Sequence, residues 1–244
     1  MNAQGKEKSR ILEALGPIAL AALLLGPLLA WLRFLPALIG FSLFALGGII
    51  GTLLLIWSLL RGFRGRPLGL GAAVGLLSGL VFLFNAFSTP RGPTINDFST
   101  DLLDPPVFIA AAEAPANLGR NLSYDPAFAE LQRACCPDLE TIELPDTTPT
   151  ATLERAAEIV RTMPGWTLVA IDPAQHRLEA VAETPLFGFR DDVVIRVRSA
   201  GAESQIDMRS KSRDGRSDLG ANAARIRAFR ERILATAPAM PPAD

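Results

Sequence analysis

The chain has 244 residues, 49% of them hydrophobic and 20% charged, and its 24 basic and 25 acidic residues leave a formal net charge of −1. That balance excludes the broadly basic surface that a nucleic-acid partner calls for. The apolar residues are crowded into the first third of the chain.

Three apolar runs, Leu15 to Leu32, Leu35 to Leu60 and Leu68 to Phe87, contain no ionisable side chain. Each reaches the ~18 residues that a helix needs to cross a hydrocarbon core of ~30 Å. A helix of a soluble core keeps a polar face, and these have none. We therefore expect a transmembrane region over 1–87, with helices at about 11–32, 35–60 and 68–87. Gly16-Pro17 and Gly26-Pro27 are expected to kink the first span rather than end it, since neighbouring helices satisfy the freed backbone groups. The basic residues before that span suggest a signal sequence, but its length and the span that follows at once favour an uncleaved signal-anchor.

Lys and Arg collect on the cytoplasmic side of short connectors. Lys6, Lys8 and Arg10 precede the first span, Arg61, Arg64 and Arg66 follow the second, and only Arg33 separates the first two. The expected topology has the N-terminus inside and, after three crossings, everything from Ser88 outside, which for a bacterial inner membrane is the periplasm. Trp31 and Trp57 lie near span ends, at headgroup level. Gly71, Gly75 and Gly79, like Gly47 and Gly51, recur every fourth residue and suit close helix packing, either within the bundle or in a homo-oligomer. Without charges at depth, an ion or proton pathway is not expected.

From Ser88 onward 17 basic residues stand against 23 acidic ones, and some 155 residues suffice for one core. Residues 88–149, rich in Pro, Asp and Thr, read as an extended strap. Within it Asp125 and Pro126 start a short helix that Pro137 stops, and Val107 to Ala112 could form a strand. Residues 150–244 read as the α+β core. Thr148-Pro149 opens a helix that Pro164-Gly165 ends. Strand-like runs follow at Trp166 to Asp172, Arg177 to Pro185, Asp191 to Ser199 and Ser204 to Arg213, and a helix at about Leu219 to Leu234 is capped by Ser217 or Asp218. Short connections make the strands a four-stranded antiparallel meander with helices packed on one face.

Strand alternation separates Val193, Ile195, Val197, Ile206 and Met208 from Arg196, Arg198, Asp207, Arg209, Lys211 and Arg213. The five basic residues are expected on one exposed face. There they either pair with Glu179 and Glu183 across the sheet or form a site for an anionic lipid or other anion. Ser210, Lys211, Ser217, Asp218 and Asn222 make a second polar stretch, read as a turn and cap or as an anion cradle.

The ordered set Ile95-Asn96-Asp97, Ser99-Thr100-Asp101, Asp104-Pro105-Pro106, Gly165-Trp166, Thr184 to Phe189 with Asp191-Asp192-Val193, Arg209-Ser210, Ser212-Arg213, Ser217 to Gly220, Asn222 and Arg225-Ile226 resembles the bacterial DUF1499 family. The resemblance implies membership and brings no activity, cofactor or catalytic set; similar members often carry N-terminal spans. Cys135-Cys136 departs from it, standing where an aromatic residue before Pro-Asp is expected. These cysteines pack, oxidise between molecules or act as a redox pair, and with the lone His176 they are too few ligands for a metal site. No cofactor is implied.

No nucleophile elbow, P-loop or zinc-protease motif occurs. Asp191 and Asp192, adjacent on a strand, point to opposite faces and cannot share a proton. The expected function is a membrane-anchored binding or scaffold module that recognises an anionic envelope component or a protein. The alternative is an envelope-acting enzyme using the polar stretch from Ser210 to Asn222.

Overall fold

The computed structural model describes residues 3–62, 70–88 and 92–236, with side chains from Glu13 onward. Its described residues form a helical unit and an α/β unit. The helical unit comprises α1 (Ala3–Trp31), α2 (Ala37–Gly62) and α3 (Leu70–Ser88). All three are long and apolar enough to cross a membrane. Pro17 and Pro27 lie inside α1, which continues through both. Lys6, Lys8, Arg10, Arg64 and Arg66, which carry the orientation argument, lie outside the residues whose side chains are described.

Small residues face inward and most large ones outward in this unit, Leu23 and Leu54 being buried exceptions. Ala19, Ala72, Gly47, Gly51, Gly75 and Gly79 are buried, whereas Leu25, Leu53, Leu80 and Phe84 are exposed. That inversion suits helices surrounded by lipid, where close backbone approach replaces the hydrophobic drive. A Cβ built on Gly79 would stand 2.6 Å from the Gly51 carbonyl oxygen, and one on Gly51 2.5 Å from the Gly79 nitrogen. Gly47 meets Ala19 and Leu23 of α1, and Gly71 meets Glu13. The glycines at four-residue spacing are thus engaged among α1, α2 and α3. Asn85 donates to the Val81 carbonyl at 2.8 Å, a bond within its own helix.

The α/β unit is built on an antiparallel sheet of six strands rather than the four expected. The meander is present as β3 (Trp166–Asp172), β4 (Arg177–Glu183), β5 (Arg190–Ala200) and β6 (Glu203–Ser212). Two more strands, β1 (Asp97–Ser99) and β2 (Ile142–Leu144), lie end to end along the outer edge of β6, opposite Arg209–Lys211 and Ser204–Ile206. At three residues each they are too short to show alternation, so the strap conceals them in the sequence.

Helices α6 (Pro149–Thr162) and α7 (Ala221–Ala235) cover one face. Leu153, Ala156, Val160, Ile226, Phe229 and Ile233 close a core over Leu178, Val193, Ile195, Ile206 and Met208. Each of these side chains other than Ala156 contributes ~1.5–3 kcal/mol on burial. Thr148 caps α6 by accepting from the Ala151 amide at 3.3 Å, with Pro149 in the first turn. Between α6 and β3, Gly165 has φ +76°, and a Cβ there would stand 2.6 Å from the Glu183 carbonyl oxygen, so both conformation and space require glycine.

The strap holds α4 (Ala110–Glu113) and α5 (Ala127–Cys135). Asp125 starts α5 as expected, its Oδ1 accepting from the Ala127 amide at 2.9 Å. The strand expected at Val107 to Ala112 is absent. Its backbone donors are bound to a carboxylate of β4 instead, and the chain turns into α4.

Candidate functional site

Arg196, Arg198, Arg209, Lys211 and Arg213 do share one sheet face, but, while Arg198 keeps 40% of its side chain exposed, most of that face is covered. The strap lies over it, and Arg209 is only 2% exposed. Arg209 donates to both Asp97 oxygens, at 2.9 and 2.8 Å, and Lys211 Nζ reaches Asp97 Oδ2 at 2.8 Å. The Arg209 guanidinium also lies against the rings of Phe108 and Tyr124, at 4.8 and 5.5 Å. Burial, with Asp97 nearby, pushes the Tyr124 phenol up to about 12, so it stays neutral.

The remaining cations are also engaged. Arg213 Nε and Nη2 donate to Asp192 Oδ1 at 3.0 and 2.6 Å, and Asn117 and Arg120 of the strap meet Asp192 Oδ2 at 3.0 and 3.4 Å. Arg196 spans Asp207, Asp101 and Asp104 at 3.1, 3.2 and 2.8 Å, and Arg198 joins Asp207 and Asp101 at 2.7 and 3.1 Å. The acceptors are therefore mainly aspartates of the strap and of β5 and β6, not the expected Glu179 and Glu183. Glu183 meets Arg190 at 3.2 Å. Glu179 accepts from the amides of Ile109, Ala110 and Ala111 at 2.7, 3.0 and 2.8 Å.

These bonds fasten the strap. Arg209 donates to the carbonyls of Pro106 and Leu122 at 3.1 and 2.8 Å, Arg196 to that of Asp104 at 2.8 Å, and Arg120 Nη2 to that of Ser212 at 2.8 Å. Buried charges persist only when paired and hydrogen-bonded, and here each cation has an anion beside it. Most of the guanidinium donors an anion would need are already taken, Arg198 Nε being left without a partner among the described residues.

The polar stretch from Ser210 to Asn222 divides between two faces. Lys211 points to the strap side, whereas Ser210 and Ser212 lie beneath α7 and bond to Asn222 of its first turn. Ser210 Oγ, fully buried, donates to Asn222 Oδ1 at 2.6 Å and accepts from Arg225 Nη1 at 3.0 Å. Arg225 Nη2 reaches Asp191 Oδ2 at 2.6 Å, so Asp191 and Asp192 serve opposite faces as alternation predicts. Asp218 caps α7, accepting from the amides of Gly220 and Asn222 at 2.9 and 2.6 Å, and Ser217 Oγ accepts from Leu219 at 3.5 Å. Burial raises the Asp218 carboxyl above the usual range despite those two bonds. Ser210, Lys211 and Asp218 do not converge on one point.

An open feature lies elsewhere on the unit. A groove of about 770 Å³ runs between Thr100–Leu103 of the strap, the segment from Cys136 to Glu143, and Arg230 and Leu234 of α7. Its walls mix apolar Leu103, Leu139 and Leu234 with Arg133, Arg230 and Glu143. Leu103 is 92% exposed. Gln132 anchors its floor, taking the Ser99 amide at 3.0 Å and donating to the Ser99 carbonyl at 2.6 Å. Cys136 lies in its wall and Cys135 is exposed beside it. Sequence reasoning missed this groove because it forms between segments more than a hundred residues apart. His176 lies in the β3–β4 turn with Nε2 3.3 Å from Thr150 Oγ1.

A family model described as a protein of unknown function, DUF1499, matches residues 97–233, from Asp97 of the buried ion pair to Ile233 of the core. No curated protein matches the chain.

Proposed function

The chain belongs to the DUF1499 family of proteins of unknown function, and from that membership, which brings a domain but no chemistry, we propose that it is a membrane-anchored binding module. Its three apolar helices hold it in a bacterial inner membrane with the N-terminus cytoplasmic and the α/β unit in the periplasm. Its groove takes an extended polypeptide segment of an envelope partner. The observation that carries this reading is the contrast between two surfaces. The cations of the sheet face are matched by carboxylates and, Arg198 apart, largely covered, whereas the groove is open, roomy and lined by both apolar and charged side chains. Binding sites combine an apolar lining with a few polar groups in this way.

The test is photo-crosslinking in native membranes, with a benzophenone amino acid placed at Leu103, Glu140 or Glu143 in the groove and at Glu154 or Glu203 outside it. A discrete polypeptide adduct from the groove positions alone is expected. Equal labelling from all five positions, or adducts only with anionic lipid, would contradict the reading.

A further inference from the structure

Cys135 is the last residue of α5, and Cys136, at φ −143° and ψ 56°, is where the chain leaves the helix. Both are free thiols, Cys135 exposed and Cys136 half-buried on the groove wall. The Cys135 thiol donates to the Gln132 carbonyl at 3.6 Å. Two residues beyond Cys136, Asp138 holds Arg227 through bonds of 2.6 and 2.8 Å. Two neighbouring free thiols at the edge of an open groove, with the Arg227–Asp138 pair two residues further on, form a site rather than a pair of packing residues.

We propose that Cys135 and Cys136 form a thiol–disulfide exchange site whose co-substrate is a disulfide presented at the groove. Cys136 is the attacking sulfur, because it lies in the groove wall where the disulfide is presented. Cys135, its neighbour in the chain, is the resolving sulfur. In the first step the Cys136 thiolate attacks one sulfur of the incoming disulfide. A mixed disulfide forms, and the departing thiolate takes up the proton that Cys136 released. In the second, Cys135 gives up its proton and attacks Cys136 Sγ. The intramolecular bond closes and the second thiol leaves protonated. Two thiols of the chain are oxidised by two electrons and one disulfide is reduced to two thiols.

The closed ring is strained and therefore readily reduced. Adjacent Cα atoms across a trans peptide lie about 3.8 Å apart, below the ~4.4–6.8 Å that an unstrained disulfide spans. Closing it turns the peptide whose amide donates to the Gln132 carbonyl at 2.8 Å, and Gln132 is the residue that clamps Ser99. Oxidation is thus transmitted to the groove floor. This exchange stands whether or not the groove binds a polypeptide.

The experiment uses the full reduced chain in detergent, incubated with glutathione disulfide and read by intact mass and iodoacetamide labelling. The expected product has lost two hydrogen atoms and both alkylatable thiols, retains no glutathione, and returns to the starting mass with dithiothreitol. Cys135→Ser is expected to stop at a stable glutathione adduct on Cys136. Two thiols that remain alkylatable, glutathione retained on the unaltered chain, or a covalent dimer would each overturn the proposal.

Discussion

Replacing Asp97 by alanine is expected to cost the α/β unit about 3–5 kcal/mol, because two cations, Arg209 and Lys211, lose the one carboxylate they share in a buried site. Removing one partner of such a group is far more damaging than the net value of the interaction, since the charges left behind can neither move into water nor find another anion. The loss has a second route. Arg209 is held by Asp97 in the position from which it bonds the carbonyls of Pro106 and Leu122, so the strap should loosen as well. Urea unfolding followed by circular dichroism measures the change. Asp172→Ala, which breaks the partly exposed pair with Arg177 at 3.5 Å, is the control and should cost no more than about 1 kcal/mol. Equal losses for the two variants would show that the Asp97 group is an ordinary surface pair.

The second large effect belongs to the helical unit. Gly79→Leu is expected to destabilise the bundle by about 1–3 kcal/mol or more, since the first added carbon would already stand 2.6 Å from the Gly51 carbonyl oxygen and the rest has nowhere to go. Backbone cannot yield as a flexible side chain does, so α2 and α3 must separate. The aggregation temperature of the detergent-solubilised chain should fall, while Gly62→Leu, with nothing within 4 Å of its Cβ position, should leave it unchanged. If both substitutions behave alike, the close approach of α2 and α3 at this glycine is not a source of stability.

The elements with strong local signals were legible in the sequence. The three spans announce themselves by length and by the absence of charge, α6 by Thr148-Pro149 and Pro164-Gly165, and the meander by alternation and short turns. β1 and β2 were not, because Asp97-Phe98-Ser99 and Ile142-Glu143-Leu144 gain their extended conformation from β6 rather than from their own pattern. The basic face shows the same limit in another form. Alternation places Arg196, Arg209 and Lys211 on one side of the sheet, but whether that side is wet depends on a strap whose Asp97, Asp101 and Asp104 come from a hundred residues earlier. Glu179 illustrates it in one side chain, since its strand position is evident from the sequence whereas its bonds to the amides of Ile109 to Ala111 are not. Ser210 and Lys211, neighbours in the chain, serve opposite faces, as period-two geometry predicts along the expected strand from Ser204 to Arg213.

If the charged face is a fastening covered by the strap, the amides of Ile109, Ala110 and Ala111 should be as protected from hydrogen exchange as those of β5 and β6 in the full-length chain, opening only with the sheet itself. Exchange of those three amides at the rate of a free loop, while the sheet stays protected, would mean that the strap lifts on its own and that the arginines and Lys211 beneath it are available to a ligand after all.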